Sequence, residues 1–166
     1  MGKISSEQLQ ELSELKVLTL PTTIESVSGY PVSLECYIIP TDSPRRWILV
    51  TAIANRIAIG FVDGRFFGDS GNAGIESPHI LRSGRYDLSH VDIRFKANPD
   101  GIYVDESERG RGIGRELMLS IREIFLGLGA RRIIVSQPED SALGFYEKLG
   151  YKLTLGAVWM DIDNNE

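Results

Sequence analysis

The stretch Arg109-Gly110-Arg111-Gly112-Ile113-Gly114 constrains this chain more than any other, because it joins a strand-like run directly to an amphipathic helix. Ile102 to Val104 reads as a short strand. Ile113, Leu117, Ile121, Ile124, Phe125 and Leu128 recur at three- and four-residue steps, which predicts a helix over Ile113–Leu128. The first N–H groups of a helix have no partner within it, and its dipole favours an anion there. Gly110, Gly112 and Gly114 remove the Cβ atoms that would hold such an anion away and allow the backbone to turn several N–H groups on one centre. Arg109, Arg111 and Arg115 add cationic donors. The construction predicts a pyrophosphate site. A dinucleotide fingerprint requires glycine where Arg115 stands, and a Walker loop requires Lys followed by Ser or Thr where the chain has Arg115-Glu116, so neither fits. A glycine-rich turn that only brings helix and strand together is the competing reading; the arginines argue against it.

The remaining pattern predicts an α/β fold with a mixed central β-sheet and flanking helices. Ser6–Leu18 reads as a helix on the spacing of Leu9, Leu12 and Leu15, capped by Ser5 or Ser6. Pro31–Ile39, Arg46–Ala54 and Arg56–Val62 read as strands, with a tight turn at Ala54-Asn55 and a hairpin signal at Asp63-Gly64. From 63 to 98 the glycines and polar residues predict an extended, mobile loop region, interrupted by a strand over Val91–Lys96. Asn98-Pro99-Asp100-Gly101 reads as a turn. Beyond the helix come a strand over Arg132–Val135, a second helix capped by Asp140 or Ser141 and stopped by Gly150, and two strands, Tyr151–Leu155 and Ala157–Ile162. Strand–helix–strand order predicts that 102–104 and 132–135 form a parallel pair.

With 166 residues, no repeat and no linker, the chain is expected to be one domain spanning 1–166. A net charge of −5 argues against nucleic acid as a partner. No apolar run approaches the length of a membrane span, and the N-terminus lacks signal-peptide order, so a cytoplasmic protein without membrane association is expected. Cys36 lies in an apolar run and reads as a small core residue rather than a reactive thiol. No metal-ligand spacing is evident, and homodimer formation is left open.

At the glycine loop the sequence closely resembles the GNAT superfamily of N-acetyltransferases. The superfamily's signature is Gln or Arg, two residues, Gly, one residue, then Gly or Ala; Arg109, Gly112 and Gly114 match it without a gap. Ala142 and Phe145-Tyr146-Glu147-Lys148-Leu149-Gly150-Tyr151 look like its C-terminal segment, Trp159-Met160 like its usual ending, and Gly60-Phe61 like the end of its central hairpin. The resemblance implies a GNAT-like acetyl-CoA-binding fold, with acetyl-CoA as co-substrate in the gap between the strands at 102–104 and 132–135. It implies that Ile102, Tyr103 and Val104 face the pantetheine, and that Arg109, Gly110, Arg111, Gly112, Ile113, Gly114 and Arg115 surround the pyrophosphate. It also implies that a small-molecule or protein amine attacks the thioester directly, and that Tyr146 protonates the departing thiolate. The competing reading of Tyr146 is an aromatic on the core face of its helix beside Phe145; the motif context favours the acid role.

Two positions depart from the superfamily. Glu139 stands where Asn is frequent, so no cofactor role carries over to it, and Glu106 stands where Pro is common. None of Asp92, Asp100, Asp105, Glu106, Glu139, His79 and His90 is marked as a general base. Two other functions fit the same loop: a non-catalytic acyl-CoA sensor and an acyltransferase for longer acyl groups.

Overall fold

The computed structural model describes residues 4–13, 17–40, 45–75, 89–93 and 101–162. The first element, α1 (Ser6–Ser13), opens with a reciprocal cap: Gln8 N donates to Ser5 Oγ, and Ser5 N donates to the Gln8 side chain. The helix does not run to Leu18 as its spacing predicts. Leu18–Glu25 is instead a strand, β1, with Leu18 and Leu20 buried and Thr19 and Pro21 exposed. Leu18, the expected end of the helix, is thus the first residue of this strand. Pro21, which has no N–H to give a ladder, sits in an edge strand, where that omission is tolerated.

Four strands follow as an antiparallel meander: β2 (Pro31–Pro40), β3 (Arg45–Ala54), β4 (Ile57–Phe67) and β5 (Asn72–Ile75). Asn55 and Arg56 both have positive φ, 50° and 63°, and close β3 to β4 as a two-residue hairpin, one position later than the sequence signal. Asp63-Gly64 is not a turn. Both residues lie within β4, opposite Leu49 and Ile48. Gly64 is needed for approach rather than for turning: a Cβ there would stand 2.7 Å from the Phe125 ring and 2.9 Å from the Gly74 carbonyl. Packing therefore overrides the turn propensity of the dipeptide. β5 likewise falls in a stretch expected to be loop, and it is buried in mid-sheet. The strand expected over Val91–Lys96 is seen as β6 (Asp92–Ile93), parallel to the start of β4; residues 76–88 and 94–100 lie outside the described residues.

The C-terminal half comprises β7 (Ile102–Val104), α2 (Ile113–Gly127), β8 (Arg132–Ser136), α3 (Leu143–Lys148), β9 (Lys152–Thr154) and β10 (Ala157–Asp161). Both α2 and α3 end in paired backbone bonds that close the last turn: Ala130 N to Phe125 O and Gly129 N to Leu126 O for α2, Tyr151 N to Tyr146 O and Gly150 N to Glu147 O for α3. The sheet runs β1-β2-β3-β4-β5-β8-β10-β9, with β6 and β7 also paired to β4. The expected parallel pairing of β7 with β8 does not occur. β8 is parallel to β5, from Asn72 opposite Arg132 to Ile75 opposite Val135, while β7 is antiparallel to β4. The long β4 reaches past both: its first half takes β7 as neighbour and its last four residues take β5. The two later strands therefore share no ladder.

Ile113, Leu117, Ile121, Ile124 and Phe125 of α2 are 0–1% exposed and belong to one core with Ile48, Val50, Ala52, Val62 and Phe66 of the sheet. Each such side chain stabilises the fold by about 1.5–3 kcal/mol. Because strand side chains alternate, Tyr37, Leu49 and Phe61 project to the opposite face, where Ile39, Trp47 and Tyr103 pack with them. Cys36 is fully buried in the main core, and burial, with Glu35 beside it, pushes its thiol up to about 12. Among the described residues, no helix is long and apolar enough to cross a membrane.

Candidate functional site

A cavity of about 510 Å³ opens between β7, the start of α2 and the segment 139–146. Its first wall is β7 itself. One edge of β7 is bonded to β4; among the described strands the other edge has no ladder. A single 3₁₀ turn, Glu106–Glu108, follows and is capped by Asp105, whose carboxylate accepts from Ser107 N. The chain then passes through 109–112 into α2. Gly112 is the cap residue of α2, with φ of +91°, and makes no side-chain cap, so the first N–H groups of the helix are uncapped. A Cβ on Gly112 would meet only Ile24 Cδ1, at 3.7 Å, and one on Gly110 would meet nothing within 4 Å. Gly114 is tighter: its absent Cβ leaves 3.4 Å to the Phe145 ring, which lets α3 close over the start of α2.

Ten of the eleven residues expected in the site line this cavity: Ile102, Tyr103, Val104, Arg109, Gly110, Gly112, Ile113, Gly114, Arg115 and Tyr146. Arg111 does not. Its guanidinium turns away and donates to the Glu25 carbonyl at 3.2 Å. Arg109 is held at the end of β7, its Nε donating to Val104 O at 2.9 Å and its guanidinium lying 5.6 Å from the Tyr103 ring centre. Tyr103 also touches the apolar cluster on the far face, with its ring 6.3 Å from that of Phe61. It therefore links the cavity to that face.

Tyr146 is 1% exposed and is wedged edge-on between Phe145 at 5.3 Å and Tyr151 at 5.7 Å. Packing fixes the ring, as the reading of a core aromatic expects, and the residue also forms part of the cavity wall. Burial raises the phenol pKa of its neighbour Tyr151, reinforced by Tyr146 and opposed by Arg122.

Five lining residues were not expected: Glu108, Glu139, Ser141, Ala142 and Phe145. Glu108 is the least legible. It is 7% exposed, and its carboxylate accepts the Val27 N–H at 3.0 Å, a partner far away in sequence. Of the carboxylates and histidines left open as a base, Asp105 is engaged as the 3₁₀ cap. His90 bonds Glu35 at 2.7 Å within a cluster that includes Tyr37, whose hydroxyl donates to Glu35 at 2.6 Å. His79 and Asp100 lie outside the described residues. Of this cluster the sequence singled out His90 but neither Glu35 nor Tyr37, and it gave no sign that Asp63 is buried, at 1% exposed. Among the described residues, no group of three or more His, Cys, Asp or Glu is arranged to hold a metal.

Over 75 residues the chain is 35% identical to a glucosamine 6-phosphate N-acetyltransferase of Trypanosoma brucei brucei, a match spanning 45% of this chain and 44% of that relative. In fold it is similar to Tetrahymena GCN5, at 12% identity and a TM-score of 0.51 over 72% of this chain and 71% of the other. It is also similar to nourseothricin acetyltransferase, at 19% identity and a TM-score of 0.46 over 96% and 94%. The family model described as the acetyltransferase (GNAT) family matches residues 12–151, from the end of α1 to the close of α3, so the chain belongs to the GNAT acetyltransferase family.

Proposed function

We propose that the chain transfers the acetyl group of acetyl-CoA to a primary amine by direct attack, with both substrates bound together. The observation that carries this reading is the N-terminus of α2, which has no side-chain cap and opens through two unobstructed glycines into a cavity walled by β7. The residues fit such a ligand. Backbone N–H groups of 110–114 and the Arg115 side chain would receive the pyrophosphate, and Ile102, Tyr103 and Val104 would bond and flank the pantetheine. Family membership supports the same co-substrate.

In the reaction, the amine nitrogen forms its bond to the acetyl carbon, and the carbon–sulfur bond breaks with its electrons on sulfur. Tyr146 gives its phenolic proton to that sulfur and is restored by the one proton the attacking nitrogen loses; the amide nitrogen keeps the other. A fixed phenol suits this step, since a group with a pKa near ~10 serves a thiolate whose thiol is near ~8.5 only when held in position. The acceptor class follows less directly. Because one relative is a glucosamine 6-phosphate N-acetyltransferase, that amino sugar is the first acceptor to try.

Release of free thiol from acetyl-CoA, measured across amino sugars, polyamines, aminoglycosides and peptides, tests the reading. Turnover with at least one amine is expected. Tight acetyl-CoA binding without thiol release in the presence of any amine would overturn transfer and leave a binding protein.

A further inference from the structure

The phosphate-facing loop rests on the corner between β1 and β2, and three contacts join them. The Glu108 carboxylate accepts the Val27 N–H at 3.0 and 3.3 Å. Arg111 donates to Glu25 O at 3.2 Å while its Nε lies 4.0 Å from Glu108 Oε2. Third, Ile24 flanks the open face of Gly112, its Cδ1 lying 3.7 Å from where a Cβ on that glycine would stand. The corner is itself closed. Gly29 N donates to Ser26 O, Ser26 N to Tyr30 O, and Tyr30 N to Ser26 Oγ, with Ser26 5% exposed.

A buried carboxylate in the wall of an anion pocket is unfavourable unless its charge is engaged elsewhere. Here the engagement is with Val27 and Arg111, both on the side of the corner. We propose that Glu108 and Arg111 are positioning residues: they fix the loop on the β1–β2 corner so that its N–H groups are aimed before the anion arrives, and neither contacts the anion. This rests on the reading of 109–114 as the pyrophosphate seat. It assigns to Arg111 a task opposite to that of a phosphate ligand, and it gives an exposed corner remote in sequence a part in cofactor affinity.

Val27 offers a clean perturbation. It is the second residue of the turn closed by Gly29 N and Ser26 O, the position where proline is favoured, so Val27→Pro deletes the N–H while suiting the turn. Val27→Ala, which keeps the N–H, is the comparison. The probes are acetyl-CoA and S-acetylpantetheine, the same thioester without the nucleotide pyrophosphate. For Val27→Pro and for Glu108→Ala we expect kcat/KM for acetyl-CoA to fall by about tenfold, the scale of one hydrogen bond to a charged group, through KM rather than kcat. For Val27→Pro, which lies outside the cavity, the value for S-acetylpantetheine should be unchanged, which also reports that this variant is folded. Combining the two substitutions should cost no more than either alone. Unchanged acetyl-CoA kinetics in Val27→Pro, equal losses with both thioesters, or fully additive losses would each overturn the positioning role. A parent protein that binds no acetyl-CoA would instead overturn the seat on which the role rests.

Discussion

Placing an aspartate at Gly112, with asparagine as its neutral twin, separates backbone strain from charge at the mouth of α2. Gly112 has φ of +91°, so either side chain is strained there by about 1–2 kcal/mol. For a domain of this size that lowers Tm by roughly 2–8 °C, and by a similar amount in both variants. Neither side chain meets an obstacle, because the only atom near the added Cβ is Ile24 Cδ1 at 3.7 Å. The variants therefore differ in one negative charge, carried into the space assigned to the pyrophosphate. At a separation of about 4 Å, like charges repel by about 1 kcal/mol if fully water-screened and about 4 kcal/mol at the dielectric of a partly enclosed site. The expected gap in acetyl-CoA affinity is thus roughly fivefold to a thousandfold between asparagine and aspartate. Calorimetric titration of the parent and both variants, with thermal melts alongside, measures it. If aspartate binds acetyl-CoA as tightly as asparagine does, no phosphate approaches this loop.

Four further outcomes are expected. Tyr146→Phe should slow transfer by about 10²–10⁴ with little change in acetyl-CoA affinity, read from kcat and KM across pH; full activity would leave thiolate protonation to water. Gly64→Ala should destabilise the fold by about 1–3 kcal/mol in denaturant titration, because its Cβ would meet the Phe125 ring at 2.7 Å. Cys36 should resist thiol reagents at pH 8 in the native protein and react after unfolding, since its thiol is held protonated to about 12. The sign of its linkage follows: the thiol titrates near 9 when unfolded, so its contribution to stability is complete below that pH and is lost as the pH rises toward 12, which melts at pH 8 and pH 11 would register.

The elements the sequence made legible are those whose signal is local. The apolar spacing of α2, the glycines at its start and the strand before it are properties of neighbouring residues, and all three were readable. The elements it hid depend on partners distant in the chain. β5 is four residues in a glycine-rich stretch and is a strand because β4 and β8 flank it. Gly64 reads as a turn until Phe125 is known to press on it. β1 borrowed the leucine spacing of the helix before it. In the site, the same division separates Arg115, visible as a cation at a helix start, from Glu108, whose partner Val27 no motif connects to it. Arg111 shows the same limit: charge composition shows that a cation is present, not which way it turns.

The order of strands bears on how the chain acquires its native form. From β1 to β5 each strand pairs with the one just made, so the meander requires only short closures. The pairings of β7 with β4 and of β8 with β5 join segments far apart in sequence, and β7 forms a wall of the cavity. Loop closure makes such contacts slow to form. The meander is thus expected to assemble first and the cleft last. A stopped-flow refolding experiment would then show acetyl-CoA binding appearing in the final phase, after most of the sheet signal has been recovered.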